Sequence, residues 1–319
     1  MIFAALALAF VLRKGAPPEV ARLLPESDAI VYVNVKPVRL AIHFDRTPVA
    51  HSPEYQRFID ATGIVPERDL DAVAFALHRM GDPQGPNGPV GYSEVFEGHF
   101  DGSRLRQYLG SIASAREQYA GHEIFTIPVD EVEGKANRML RVTQLGYDTI
   151  AASNMPTEEQ IHSMLDRHRA AASPFSGSSL LSARFKDVPL LSSVWAIGEV
   201  GLPLAERGHI TIFGLELPMP EDTTFVASVR YMGSLHLRID EIAPGEAEAT
   251  RAADSLAAIL GVARSIEGAQ PRAAGDMDLR KALDTLRVDR RKDRAVVTAT
   301  IPLELARRLS GVEQGSDTK

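Results

Sequence analysis

The sequence predicts an α+β fold in which antiparallel sheets carry helices on one face and the chain forms two similar halves. The first observation behind this prediction is the recurrence of segments that alternate apolar and polar residues, as half-buried strands do. The second is that a predicted hairpin is followed by a helix three times, at 139–170, 224–267 and 286–309. Hairpin followed by helix favours antiparallel sheet over parallel βαβ units. No residue-level repeat accompanies this order, so a duplicated unit is a hypothesis about topology alone.

The first half is predicted over residues 22–172. Ser52 is predicted to be a helix N-cap, because serine is favoured there and Pro53 follows at the first helical position. Asp101 is a second predicted N-cap. Thr157 and Gln160 fit a capping box before another helix. The predicted elements are strands at 28–36, 70–77, 91–100 and 122–127, a hairpin over 139–151, and helices from 52, 101 and 157.

The second half is predicted over residues 180–310, after a junction at 170–179 that is rich in Ser, Pro and Gly. Its strongest element is a helix over 245–267, where small and apolar residues form one stripe and Gly268 supplies a C-terminal cap. The other predicted elements are strands at 192–200, 209–213, 224–231, 234–239, 285–288 and 295–301, and a last short helix from 302. The tail at 311–319 is predicted to be disordered.

The chain opens on an apolar run, residues 1–12, which stops at Arg13 and Lys14. A terminal run of this kind predicts an N-terminal hydrophobic anchor or truncated signal over 1–14. It is shorter than the roughly 20 residues that a spanning helix needs, and no basic residues precede it, so we expect residues upstream of this start. The alternative is a buried helix of a soluble domain. Orientation stays open, because Arg13 and Lys14 alone would hold the domain in the cytoplasm whereas a basic upstream segment would reverse this.

Composition limits the function classes. Of the 319 residues 45% are hydrophobic and 24% charged, which is typical of a globular protein. The net charge of −7 argues against a nucleic-acid partner, whose binding needs a basic surface. The absence of cysteine excludes disulfides, thiolate metal sites, cysteine nucleophiles and a lipid-modified cysteine. It is also compatible with an exported protein.

Several groups of residues have partial catalytic or metal-binding spacing. Glu158, His162 and Asp166 stand at i, i+4 and i+8 and could offer one stripe of metal ligands, but a solvated polar helix face is the favoured interpretation. The remaining His and Asp groupings are pairs two residues apart, namely His43 with Asp45, near which His51 also lies, and His99 with Asp101.

Signatures of nucleophilic or phosphate chemistry are incomplete. Residues 175–179 lack the spacing of a serine elbow, and Ser182 and Lys186 are four apart instead of three. The loop 81–91 is rich in Gly but also in Pro, so it predicts a hairpin tip that can recognise a partner. Trp195 is predicted to be a core residue. We therefore assign no catalytic, cofactor-binding or metal-binding residue, and expect no cofactor.

The pattern of residues 22–170 resembles uncharacterised bacterial envelope proteins that have an N-terminal anchor or signal and a domain of unknown function. The stretches that carry this resemblance are Leu23–Asn34, Ser52–Pro53, Arg68–Phe75, Phe96–Asp101 and Tyr119–Phe125. The resemblance implies a bacterial, membrane-attached protein whose domain is periplasmic or otherwise extracytoplasmic. It implies no site and no reaction.

The sequence thus favours a membrane-anchored, extracytoplasmic, non-catalytic binding or structural module of the bacterial envelope, with the membrane and an envelope protein as partners. One alternative is a hydrolase or metal-dependent enzyme whose site residues are scattered along the chain. The other is a carrier of an apolar ligand, held between the sheet and the helix at 245–267. Close packing through Ala249, Ala252 and Ala253 would exclude a ligand at that place.

Overall fold

The computed structural model describes residues 16–42, 51–130, 138–170, 177–199, 209–212, 215–218, 223–268, 276–303 and 305. The predicted anchor at 1–14 and the predicted tail at 311–319 lie outside these residues. Within them, no helix is both long enough and apolar enough to cross a membrane. The chain forms two compact units, residues 1–186 and 187–319, which we call unit 1 and unit 2. The segment 180–186, predicted at the start of the second half, belongs to unit 1 by this division.

Unit 1 contains seven strands and seven helices among its described residues. The strands are β1 (Ala29–Asn34), β2 (Leu70–Arg79), β3 (Val90–Gly98), β4 (Ala115–Tyr119), β5 (His122–Asp130), β6 (Arg138–Gln144) and β7 (Thr149–Ser153). The helices are α1 (Glu19–Arg22), α2 (Val35–Ile42), α3 (Pro53–Thr62), α4 (Pro66–Asp69), α5 (Gly102–Ile112), α6 (Glu159–Arg169) and α7 (Ser179–Arg184). The strands pair antiparallel in the order β1-β2-β3-β7-β6-β5-β4.

The sheet of unit 1 has helices on both faces. Strand pairing places two rows of side chains across it, one on each face: Glu94, Ala152, Val142, Phe125 and Arg116 in the first row, and Val95, Ala151, Thr143, Ile124 and Glu117 in the second. Arg116 of the first row donates to the carbonyl of Gly110 in α5. Glu117 of the second row bonds His162 in α6. Helix α5 therefore covers one face and helix α6 the other.

Unit 2 repeats the architecture with fewer strands. Its described elements are β8 (Val194–Glu199), β9 (His209–Ile212), β10 (Leu215–Pro218), β11 (Thr224–Tyr231), β12 (Leu235–Ile242), α8 (Glu246–Gly268), α9 (Asp276–Thr285), β13 (Arg287–Arg291) and β14 (Arg294–Ile301). The main sheet has the antiparallel order β8-β11-β12-β14-β13, and β9 and β10 form a separate pair. Trp195 in β8 is buried, as the sequence predicts.

The two units share one topology. In each unit a single strand pairs with the first strand of one hairpin, and helices follow that hairpin in the chain. A second hairpin comes next, and its last strand pairs with the second strand of the earlier hairpin. These strands are β1, β2, β3, β6 and β7 in unit 1, and β8, β11, β12, β13 and β14 in unit 2. The predicted α+β class, with antiparallel sheets, helices outside the sheet and two similar halves, is confirmed. The expectation that the helices lie on one face does not hold for unit 1, because α5 and α6 contact side chains on opposite faces of its sheet.

Local signals fix several helix ends. The Ser52 hydroxyl accepts from the Tyr55 amide, and the Asp101 carboxylate accepts from the Ser103 and Arg104 amides, so both predicted N-caps form. The predicted capping box at 157–160 does not form. Helix α6 begins at Glu159 instead, and the Thr157 hydroxyl contacts the Gln160 side chain at 3.4 Å.

Helix α8 packs closely on its unit through small residues. Ala249 and Ala253 are buried, as are Leu256 and Leu260 one and two turns further along. A cavity of about 660 Å³ near its C-terminal half is lined by Leu260 and Leu286 but also by the charged residues Asp284, Arg287 and Asp289. The cavity beside this helix is therefore lined by charged as well as apolar residues, which does not favour the apolar ligand that the sequence offered as an alternative at this place.

Glu241 is a buried carboxyl in unit 2. It lies between Phe225 and Ala295 in the strand register, and it is 2% exposed. Within the described residues neither of its carboxyl oxygens has a hydrogen-bond partner. Burial away from water disfavours the charged form and raises the pKa of Glu241 from 4.5 to about 7.

We predict that Glu241 makes unit 2 less stable as the pH rises. Between pH 4.5 and 7 the folded state keeps a proton that the unfolded state releases, so the free energy of unfolding falls over this interval. In Glu241→Gln this loss is absent. Relative to wild type, the variant should gain on the order of 3 kcal/mol between pH 4.5 and pH 8, measured by denaturant unfolding. The exposed-site control Glu54→Gln should show no such gain, and a pH-independent difference for Glu241→Gln would contradict the prediction.

Candidate functional site

Unit 1 contains a cavity of about 610 Å³ between one face of its sheet and the helices α3 and α5. Apolar and aromatic side chains make up nearly all of its wall. The lining residues are Tyr55, Phe58, Ile64, Pro66, Leu70, Glu94, Phe96, Phe100, Leu105, Tyr108, Leu109, Ile112, Ile127, Pro128, Val129, Leu140, Val142, Ile150 and Ala152. Both the volume and the lining match the clefts in which proteins bind small apolar molecules.

The floor of the cavity is formed by the central strands of the sheet. Alternation along β3 places Glu94 and Phe96 on the cavity face. Glu94 pairs with Ala152 of β7, and Ala152 pairs with Val142 of β6. Leu140, two residues before Val142, continues the same face. The floor is therefore rigid sheet, in which each position is set by the antiparallel ladder.

Helices α3 and α5 form the opposite wall, and they are tied to each other. Arg104 in α5 donates from its Nε to the carbonyl of Ala61 and from its Nη2 to the carbonyl of Asp60, at 3.2 and 2.9 Å. The Phe58 ring lies edge-on to the Tyr108 ring, with centroids 5.6 Å apart. These contacts hold the two helices together, so the wall opposite the sheet is a preformed surface.

The lining of the cavity includes buried core residues, but at one edge it also includes exposed residues. Leu105, Leu109, Val142 and Ala152 are buried and belong to one core cluster. Ile112 and Val129 also line the cavity, yet they are 39% and 45% exposed. The cavity thus joins the hydrophobic core to solvent, and a ligand could enter past these two residues.

Glu94 is the one carboxyl among the lining residues. Within the described part of the chain it has no hydrogen bond or ion pair. Burial raises its pKa from 4.5 to about 7. Burial and the charge of Glu67 also raise the pKa of Tyr55, on the facing helix, to about 12. At neutral pH the cavity therefore holds a carboxyl that is only partly ionised, together with the Tyr55 phenol, which keeps its proton.

A buried Ser–His arrangement lies on the other face of the sheet. The His78 Nε2 is 3.2 Å from the Ser93 hydroxyl, which is 3.0 Å from the Ser153 hydroxyl. Burial lowers the pKa of His78. Ser93 is fully buried, and neither it nor Ser153 lines the cavity, so a substrate has no access to these hydroxyls. The network satisfies buried polar groups between β2, β3 and β7.

The candidate metal ligands of helix α6 bind protein groups instead of each other. Glu158 pairs with Arg141 at 2.9 Å, and His162 bonds Glu117 at 2.8 Å. Asp166 accepts from the Tyr119 hydroxyl, and the Tyr119 ring stacks on His162 with centroids 3.8 Å apart. Among the described residues, no three His, Asp or Glu side chains are grouped so that they could hold a metal ion.

The other polar groups considered from the sequence are also placed in local contacts. His51 bonds Glu67 at 3.1 Å, and Asp101 caps α5, whereas His43 and Asp45 lie outside the described residues. Ser178 caps α7, and Ser179 donates its hydroxyl to Glu26. The loop 81–91 is held at its base by Asn87, which donates to the carbonyl of Asn154.

His99 belongs to a charged cluster around the buried Asp71. The Asp71 carboxylate accepts from Lys36 and Arg39 at 2.8 and 2.9 Å, and the His99 Nδ1 lies 3.6 Å away. Arg39 also donates to the carbonyl of Arg68. Burial opposes ionisation of Asp71, but the hydrogen bonds from Lys36 and Arg39 outweigh it and hold its pKa below the usual range.

We predict that the Asp71 cluster stabilises unit 1. Asp71→Asn leaves the half-buried Arg39 guanidinium without its anionic partner and should lower the free energy of unfolding at pH 7 by roughly 1–3 kcal/mol. The deficit should vanish as the pH falls through the lowered pKa of Asp71, because the wild type then loses the same charge. The control is Asp82→Asn in the loop 81–91, for which denaturant unfolding should show a change within about 0.5 kcal/mol. Equal effects of the two substitutions would contradict the prediction.

Comparisons with known proteins bear on the fold alone. No protein family matches the sequence, and no curated protein matches it. The chain is similar to crystal form I of TP0453, at 12% identity over 92% of this chain and 95% of that chain with a TM-score of 0.45. Crystal form III of TP0453 is 13% identical over 93% of this chain and 98% of that chain, with a TM-score of 0.49. No inference about the site follows from this similarity.

Sequence reasoning missed both the cavity and Glu94. Strand β3 reads as a half-buried strand, on which Glu94 would be a solvent-facing residue. One signal was present: Glu94 stands between Tyr92 and Phe96 at alternate positions, so its face of the strand is largely aromatic. An aromatic face that also carries a carboxyl is more consistent with a ligand-facing wall than with a solvated one.

Proposed function

We propose that this protein is a non-catalytic binding module that holds a small molecule with an apolar chain in the cavity of unit 1. The observation that carries the proposal is the cavity itself, about 610 Å³ of space bounded by apolar and aromatic side chains and open past Ile112 and Val129. Removing an alkyl chain from water gains about 0.8 kcal/mol for each buried CH₂, so a chain of ten or more carbons can be bound without further polar contacts.

The rigidity of the walls supports binding of a ligand over collapse of the cavity. The floor is fixed by strand pairing, and the opposite wall is fixed by the contacts of Arg104 with Ala61 and Asp60. A preformed cavity requires little ordering when a ligand enters, which favours affinity. This is the apolar-carrier function considered from the sequence, but placed in unit 1 instead of beside the helix at 245–267.

The polar groups support binding over catalysis. The candidate metal ligands Glu158, His162 and Asp166 are each paired with a protein group on the far face of the sheet from the cavity. Ser93 and His78 are buried on that same face. A hydrolytic or metal-dependent reaction in the cavity would need such groups in its wall. Recognition of an envelope protein by the loop 81–91 remains a separate prediction from the sequence.

We further propose that the protein is attached to the bacterial envelope membrane by residues 1–14, with both units outside the cytoplasm. The apolar run at 1–12 and the absence of cysteine support this placement. A membrane location would also give the cavity direct access to molecules with apolar chains.

The placement predicts a specific result in cells. The native protein should sediment with membranes, and added protease should digest units 1 and 2 only after the outer barrier of the cell is opened. A cytoplasmic enzyme in the same sample serves as the control for cell lysis. Recovery of the intact protein in the soluble cytoplasmic fraction would overturn the placement, and residues 2–12 would then be interpreted as a core helix.

The cavity predicts that filling it weakens binding of an apolar probe. Ala152→Leu projects three extra carbons from the floor into the cavity, so the full-length variant should bind diphenylhexatriene at least about tenfold more weakly than wild type in a fluorescence titration. The thermal unfolding midpoint should not fall, because the new side chain enters existing space.

The cavity also predicts how affinity depends on the length of an alkyl chain. The affinity of wild type for n-alkanols should rise about fourfold per CH₂ until the cavity is filled.

The matched control for Ala152→Leu is Ala258→Leu, which makes the same change at an exposed position of α8 in unit 2. It should leave binding of the probe unchanged. Equal affinity in wild type and Ala152→Leu, or no binding by wild type at all, would overturn the proposed function.

A further inference from the structure

We propose that the cavity is selective for amphiphiles whose polar end is an amine, and that the Glu94 carboxylate is the group that binds this amine. The inference rests on the proposed function, and it names the chemistry of the ligand's polar end. Its basis is the position of Glu94 in the cavity wall, without a partner among the described residues, together with the charge of the remaining wall.

The wall contains no Lys, Arg or His among its lining residues. Apart from Glu94, its polar groups are the hydroxyls of Tyr55 and Tyr108. An anionic head group brought into this cavity would meet no cation among the lining residues and would be repelled by an ionised Glu94. A neutral head group could be accommodated, but it would leave the carboxylate without a charged partner. A protonated amine supplies both the opposite charge and the hydrogen-bond donors.

The environment of Glu94 explains why an amine would be favoured. A carboxylate in an apolar wall is costly unless it is paired, and this cost is the reason that burial raises the pKa of Glu94 to about 7. An ammonium group offsets that cost through charge-assisted hydrogen bonds, which contribute more than neutral ones. Glu94 is therefore only partly ionised near neutral pH, and a bound amine would stabilise its ionised form.

Glu94 is the ionisable carboxyl of the cavity wall, and the nearest histidine in contact with a lining residue is His51, whose ring centroid lies 4.9 Å from that of Tyr55 and whose Nε2 bonds Glu67. The comparison with Glu94→Gln therefore separates the pH dependence due to Glu94 from any due to His51. Tyr55 on α3 and Tyr108 on α5 line the same cavity, and Tyr92 precedes Glu94 by two residues on β3. Its register partners, Phe75 on β2 and Ala152 on β7, do not titrate. Two charged groups outside the lining act on these phenols: Glu67 acts on Tyr55, and Arg138 acts on Tyr92. Phenols ionise well above neutral pH.

The test is displacement of diphenylhexatriene from the full-length protein by dodecylamine, dodecanol and dodecanoate, each kept below its micellar concentration. The three compounds share one chain, so differences in affinity report the head group. At pH 8 we expect dodecylamine to bind about tenfold more tightly than dodecanol, and dodecanoate to bind most weakly. Affinity for dodecylamine should rise from pH 5.5 to 8.5 as Glu94 ionises, whereas affinity for dodecanol should fall.

Glu94→Gln keeps the shape of the side chain and removes its charge. This variant should lose about tenfold in affinity for dodecylamine, lose the rise with pH, and still bind diphenylhexatriene, which shows that it is folded. The matched control is Glu97→Gln, on the same strand but outside the cavity lining, which should keep the preference for the amine.

The outcomes separate this inference from the proposed function. If diphenylhexatriene binds and Ala152→Leu weakens it, but the amine is not preferred or Glu94→Gln keeps the preference, the amine inference is overturned and apolar binding stands. If wild type binds neither the probe nor any of the three amphiphiles, both are overturned. Preference for dodecanoate would equally overturn the amine inference.

Discussion

The central constraint on unit 1 is that its sheet carries apolar side chains on both faces, so both faces must be covered by helices. On one face the side chains near the centre are small, such as Ala74, Ala76 and Ser93, all fully buried. Small residues let covering elements approach closely. On the other face the side chains are large and include Phe75, Phe96 and Ile150. Helices α3 and α5 cover that face only in part, and the cavity is the space that they leave.

Two carboxyls illustrate how differently burial acts in the two units. Burial raises the pKa of both Glu94 and Glu241 to about 7. Glu241 is 2% exposed in a packed sheet, and its two oxygens have no partner among the described residues, so its ionisation lowers stability as the pH rises. Glu94 stands in the wall of an open cavity. In the amine-binding function that we propose, a ligand provides the missing partner, and the physical cost that destabilises unit 2 is the basis of selectivity in unit 1.

Local patterns in the sequence were sufficient for the fold class but not for the site. Ser52, Asp101 and the alternating strands act through contacts within a few residues, which one sequence displays. Val35–Ile42 forms a helix where the sequence predicted that a strand would run to residue 36, and β4 and α9 were missed because their patterns are short or weakly apolar. The cavity depends on which helix covers which face of the sheet. That is a long-range property, and alternation along β3 cannot indicate whether its second face meets water or helices.

The charged side chains of unit 1 differ in whether a protein group binds them, and this difference distinguishes structural groups from the candidate ligand-binding group. Glu158, His162, Asp166 and Asp71 were conspicuous in sequence or position, yet each is held by a protein partner within about 3 Å. Groups whose bonds are satisfied internally stabilise the fold and have little left to offer a ligand. Glu94 is inconspicuous in the sequence and has no such partner among the described residues. An unpaired carboxyl in an apolar wall is destabilising, and the amine that we propose as the ligand's polar end would complete the pair. What distinguishes Glu94 from Glu241, which is equally unpartnered within the described part of the chain, is its position in an open cavity.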